Sequence, residues 1–186
     1  MLSDYPKHES ELALSIGESN RILSLLFYDI IKRYYLLESS PIALTENQIS
    51  ILRILKMAGP LLVSEVAKLM QITRAAASKN IEKLVGYNLV IRKVLSEDRR
   101  AVNVSLLKDG EKIVDKLESI RIKKQNAALT SMNSNEKKLL NELLTKFLKQ
   151  CLANEKDIGL VCLECQGSMV SHCVMEEYDI ICRFRQ

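Results

Sequence analysis

A mostly α-helical chain with a small β-wing is predicted by three observations. Apolar residues recur at helical spacing on both sides of a central region, which places long amphipathic helices before and after it. Within that region, Ser64 to Gly86 reads as a short helix, a turn and a second helix. Immediately downstream, two β-favouring runs flank a highly charged tip, the pattern of a hairpin.

Taken in order, Leu12, Ile16, Leu23, Phe27, Ile30 and Tyr34 mark one stripe of a long N-terminal helix. Thr45-Glu46-Asn47-Gln48 has the residue types of a capping box, opening a helix that carries Ile49, Leu52 and Leu55. Met57-Ala58-Gly59-Pro60 ends it. Ser64 is suited to cap the next helix, with Leu62, Val66 and Leu69 as its buried stripe. Gln71 and Ile72 form the turn, and Thr73 offers a second N-cap. In the helix that follows, Ala77, Ile81, Leu84 and Val85 share the inward side, leaving Arg74, Ser78, Lys79 and Lys83 on the remaining surface. The hairpin pairs Leu89–Leu95 with Ala101–Leu106 around the tip Ser96-Glu97-Asp98-Arg99-Arg100. Ile113, Leu117 and Ile120 mark another long helix. Ser134 is placed to cap a last one bearing Leu139, Leu140, Leu143, Leu144, Phe147, Leu148 and a core-facing Cys151.

Charge singles out the same region. From Pro60 to Lys108 there are nine basic and four acidic residues, a net +5, whereas the whole chain is only +4. The excess positive charge sits in the helix-turn-helix and hairpin, as expected of a protein whose one basic face meets phosphates. A helix-turn-helix followed by a charged wing is a DNA-reading device.

At these residues the chain resembles the MarR family of bacterial regulators. The family's wing carries Asp-x-Arg followed by alternating apolar residues and a Leu-Thr-x-x-Gly helix start; here these stand as Asp98-Arg99-Arg100 and Leu107-Lys108-Asp109-Gly110, with Lys108 in place of the Thr. The likeness spans roughly Glu11 to Ala153. It implies a winged helix-turn-helix dimer of the MarR type, in which the first and last helices interlock and two recognition helices meet a pseudopalindromic operator in double-stranded DNA. The expected DNA-binding set is Ser64, Thr73, Arg74, Ser78, Lys79, Lys83, Asp98, Arg99 and Arg100. Asp98 would hold Arg100 for the minor groove. The organisation expected is a dimerisation helix over 1–44, the DNA-binding domain over 45–107, further dimerisation helices over 108–153 and a tail over 154–186.

Composition agrees with a regulator. With 186 residues, 47% hydrophobic and 27% charged, the chain can bury a sizeable core and needs no disulfides. Its N-terminus lacks the basic and apolar regions of a signal peptide, and no apolar run approaches a membrane span, so a cytoplasmic protein is expected. Gly is scarce, and no phosphate-cradling loop is present.

The tail departs from the family. Cys162, Cys165, Cys173 and Cys182 stand as C-x2-C-x7-C-x8-C, four of the five cysteines within 21 residues. A reducing compartment disfavours disulfides, and a CxxC followed by two more thiols supplies what a tetrahedral thiolate site needs. Zinc is slightly favoured over a [4Fe–4S] cluster, and His172 can substitute for one sulfur. The competing reading treats these thiols as small buried hydrophobes beside Val161, Val170 and Ile181. Such a tail would sense a metal or redox state or only brace the dimer, and a small molecule is a further candidate effector of the regulator. The alternative class is a thiol- or metal-dependent enzyme using Cys162 and Cys165, against which stand only two histidines in the chain and no cofactor loop.

Overall fold

A computed structural model describes residues 7–26, 38, 40–94 and 102–153. The chain divides between Ala43 and Leu44 into two units. In the first, helix α1 (Lys7–Leu25) leaves Leu12, Ile16 and Leu23 exposed. One turn apart, Arg21 and Glu18 form an ion pair of 2.6 Å, and this hydrogen bond holds the Glu18 carboxyl below its ordinary pKa. Phe27, Ile30 and Tyr34, the rest of the expected stripe, lie outside the described residues.

The second unit is built around helix α2 (Glu46–Ala58), whose Ile51, Leu52, Ile54 and Leu55 are fully or almost fully buried. Its capping box is present: the Thr45 N–H donates to Gln48 Oε1 at 2.9 Å, and the Gln48 N–H to Thr45 Oγ1 at 3.4 Å. The helix stops at Gly59, whose φ of 76° and ψ of −157° only glycine adopts without strain. Leu61–Leu62 then form strand β1, which pairs antiparallel with β3 (Val102–Leu106), itself paired with β2 (Val90–Val94). The strand order is β1-β3-β2. Two residues cannot show a period, so β1 is invisible in the sequence, which assigned Leu62 to a helix.

Helix α3 (Val63–Leu69) corrects two further expectations. Ser64 does not cap it but lies exposed inside it; the N-cap is Leu62, whose N–H donates to the Glu65 carboxylate at 2.7 Å. Glu65 thus makes its half of a capping box without a Ser or Thr partner. The buried stripe is Val63, Val66 and Ala67, with Leu62 and Leu69 only half-buried. Helix α4 (Arg74–Gly86) follows and packs on α2, α3 and β2.

Beyond the wing, helix α5 (Lys108–Ala128) has Leu107 as its N-cap and therefore no side-chain cap. Gly110 is buried where α5 meets the wing. A Cβ there would sit 2.5 Å from the Leu89 carbonyl oxygen and 2.7 Å from Leu106 Cδ1. Farther along, α5 is tied to α2 by ion pairs from buried Glu118 to Arg53 at 3.2 Å and from Asp115 to Lys56, and Glu118 also takes Arg121 of its own helix at 2.8 Å. At its start the Asp109 carboxylate hydrogen-bonds Lys112 and raises the ammonium's pKa.

Helix α6 (Ser134–Ala153) is capped by Asn133 rather than Ser134. Asn133 Oδ1 accepts from the Asn135 and Glu136 N–H groups at 2.9 and 3.1 Å, and Glu136 accepts from the Asn133 N–H. Its apolar stripe faces outward: Leu139, Leu143, Leu144, Phe147 and Leu148 are 41 to 56% exposed. Cys151 continues that stripe and is exposed, not in the core as expected. Among the described residues no helix is long and apolar enough to cross a membrane.

Gly110→Ala tests the packing of α5 on the wing. In an open helix this change stabilises by roughly 0.5–1 kcal/mol. Here the added methyl meets a backbone carbonyl, so a destabilisation of about 1–3 kcal/mol is expected in urea denaturation.

Candidate nucleic-acid interface

Two capped helices and the hairpin build the basic surface. Helix α3 ends with Gln71 in the left-handed region at φ 52°; the Ile72 N–H donates to the Ala67 carbonyl and the Gln71 N–H to that of Lys68. These are the two bonds of a Schellman motif, made here with a glutamine where glycine is usual. Two residues later Thr73 caps α4, its Oγ1 accepting from the Ala76 N–H at 3.2 Å. The turn therefore satisfies the end of one helix and the beginning of the next within Met70–Thr73. Helix α4 closes in the same way, with Asn88 at φ 56° and bonds from Leu89 to Leu84 and from Asn88 to Val85.

Ala77, Ile81 and Leu84 are fully buried, which fixes the rotation of α4 about its axis. Val85, expected on the same stripe, is 38% exposed. At eight residues from Ala77 it lies roughly 80° around the helix and falls on the margin. On the side away from the buried stripe Lys79, Glu82 and Lys83 are exposed, and Arg74 is exposed at the first turn of the helix, one turn before Ala77. Arg74 and Ser78 belong to one row along the helix, Lys79 and Lys83 to the next. Asn80 turns to its own backbone, donating to the Ala76 carbonyl at 3.0 Å.

Ser78 is the exception among the expected DNA contacts. It is half-buried, and Arg92 of β2 reaches across to it, Nη2 donating to the Ser78 carbonyl oxygen at 2.8 Å and to Ser78 Oγ at 2.9 Å. In the sequence Arg92 registers only as one positive charge. The signal that could have found it is its place in β2, since Val90, Arg92 and Val94 share one side of the strand and Val90 is buried. Its neighbour Lys93 lies on the other side and is exposed.

Of the remaining expected residues, Ser64 is exposed on α3, and the Thr73 side chain is occupied by its cap. Asp98, Arg99 and Arg100 at the wing tip lie outside the described residues, as do Cys162, Cys165, Cys173 and Cys182. Among the described residues no group of three or more His, Cys, Asp and Glu side chains is placed to hold a metal ion.

Residues 44–102, spanning α2 to the wing, match the model of the MarR family. This segment is similar to the DNA-binding domain of that family. Solved structures similar to the chain extend the likeness of fold past that segment. The YusO protein from Bacillus subtilis superposes with a TM-score of 0.65 at 24% identity, covering 75% of this chain and 96% of that one. A MarR family protein from Bacillus stearothermophilus gives a TM-score of 0.59 at 21% identity over 75% and 97%. The S. aureus MepR–DNA complex gives 0.58 at 23% identity over 70% and 96%. No curated protein sequence matches the chain.

Thr73→Ala removes the side-chain acceptor at the start of α4 while leaving the exposed basic residues in place. A destabilisation of about 1 kcal/mol is expected in chemical denaturation, within the range of N-cap deletions.

Proposed function

We propose that the chain is a transcriptional regulator that binds an operator in double-stranded DNA as a homodimer. The observation that carries this reading is the basic side of α4, where Lys79 and Lys83 stand out from a helix whose opposite side is locked in the core and exposed Arg74 adds a third cation at its first turn. Long cationic side chains on a rigid helix suit the phosphates and base edges of a major groove, which is about 12 Å wide. In this reading Arg74, Ser78, Lys79 and Lys83 lie nearest DNA, Ser64 and Thr73 approach the backbone, and Asp98, Arg99 and Arg100 carry the wing to the adjoining minor groove. The fold shared with MepR, a protein solved on DNA, supports the assignment.

The apolar stripes of α1 and α6 support the dimer. Exposed apolar stripes along two long helices are unusual for a monomer, and a two-fold pair would present two copies of α4 to a pseudopalindromic site. Leu143→Glu with Phe147→Glu should convert a dimer mass to a monomer mass in light scattering at micromolar concentration; a dimer that survives both changes refutes the assignment of α6 to the interface.

Lys79→Ala and Lys83→Ala test the approach to DNA itself. Each should weaken binding and lower the salt slope of log K by roughly one unit for every phosphate no longer neutralised. An unchanged slope in the double variant removes this side of α4 from the phosphates.

For the tail, the spacing of Cys162, Cys165, Cys173 and Cys182 supports a single thiolate metal centre, zinc in slight preference to [4Fe–4S], through which metal release or thiol oxidation would modulate DNA binding. Elemental analysis and the absorbance spectrum of fresh protein distinguish the two metals. Cys165→Ser should release the metal and change operator affinity. Retained metal refutes the centre, and metal release with unchanged affinity in every redox state makes it structural only.

A further inference from the structure

Among the described residues, Arg92 is the one cation of the wing strands that turns inward. Its guanidinium lies between β2 and α4, with Nη2 on both oxygens of Ser78 and Nε buried without a hydrogen-bond partner. An orphaned buried N–H lowers stability, and an apolar side chain of similar length would fill the space without it. The position is therefore poorly explained by packing. It is well explained by what Nη2 does to Ser78.

A serine hydroxyl has one hydrogen and two lone pairs. Arg92 takes a lone pair, so Ser78 is an acceptor towards the wing and its hydroxyl hydrogen is turned away from it. In the middle of a helix a serine commonly spends that hydrogen on a carbonyl one turn earlier; the charge-assisted bond from Arg92 leaves the hydrogen free to do so in the absence of DNA and polarises the hydroxyl as a donor. Ser78 shares its row with exposed Arg74 and adjoins exposed Lys79, so its hydroxyl lies beside residues that the DNA-binding reading puts nearest the groove.

Resting on the DNA-binding reading above, we infer that Arg92 is a positioning residue for sequence recognition: it holds the Ser78 hydroxyl as a donor to an acceptor on a base edge, and it joins the wing to the recognition helix. Arg92 itself touches no phosphate. That separates it from Lys79 and Lys83, which contribute through charge. A residue acting this way governs the preference for one sequence over another and leaves the electrostatic part of binding alone.

The test uses the full chain and two duplexes of about three helical turns each, long enough for paired half-sites. One is selected from a randomised library by the unsubstituted protein, and the other is of random sequence. Arg92→Met and Ser78→Ala should each lower the ratio of selected to random affinity about tenfold, the value of one good base-edge hydrogen bond. The double variant should lower the ratio no further than either alone, and the salt slope should stay unchanged. If Arg92→Met does not fold, Ser78→Ala alone must lower the ratio without moving the slope. The inference is overturned by equal weakening on both duplexes with a slope lowered by about one unit, which would put Arg92 on a phosphate, and equally by an unchanged ratio. Failure of the unsubstituted protein to prefer any selected duplex overturns the DNA-binding reading, and this inference with it.

Discussion

The seating of Ala77, Ile81 and Leu84 against α2, α3 and β2 governs both the angle of α4 and the identity of the side chains it offers to solvent. Burial of the two larger residues contributes on the order of 1.5–3 kcal/mol each, several times what any exposed lysine ion pair could add. The rotation of the helix is consequently set from inside. Lys79 and Lys83 emerge where they do because no other rotation puts three fully buried residues in the core.

The core that receives α4 is extended by α5. Gly110 lets the start of that helix come against the Leu89 carbonyl, and Leu89 also accepts the Leu107 N–H at 3.0 Å. A turn or two later, Glu118 is buried between Arg53 and Arg121, an arrangement that requires both cations, since a lone buried carboxylate would be strongly unfavourable. Packing fixes the near end of α5 and charge fixes its middle. The ion pairs have directional geometry that an apolar contact lacks, so they specify the register of α5 on α2 as well as its proximity.

Much of this was legible in the residues. The capping box at Thr45 and Gln48, the cap at Thr73, the turn at Gln71 and the inward set Ala77, Ile81 and Leu84 follow from residue types at fixed spacing, which local physics enforces. Residue patterns mislead where a distant partner or an unusual substitute decides. Strand β1 exists only because β3 pairs with it, and Leu62 caps α3 because Glu65 supplies the acceptor from inside the helix. The cap of α6 is misplaced by one residue in the sequence, since Asn133 and Ser134 are equally suited by type and only the bonds to Asn133 distinguish them. Cys151 belongs by spacing to an apolar stripe, and a stripe does not say whether its own chain covers it. Among the candidate DNA-binding residues, exposure of Lys79 and Lys83 was legible from the period; the engagement of Ser78 by Arg92 was not, because the two residues are 14 positions apart.

The non-glycine residues at the ends of α3 and α4 have a mechanical consequence. Gln71 and Asn88 occupy a conformation that a side chain restricts to a narrow basin, at roughly 1 kcal/mol less stability than glycine would give. A glycine hinge would have a broad basin and would absorb an imposed rotation by flexing. A narrow basin on both sides of α4 makes each joint stiff, so a torque applied to the body of the domain is delivered to the helix with little dissipation. The domain thus exchanges a small amount of stability for the transmission properties of a rigid lever.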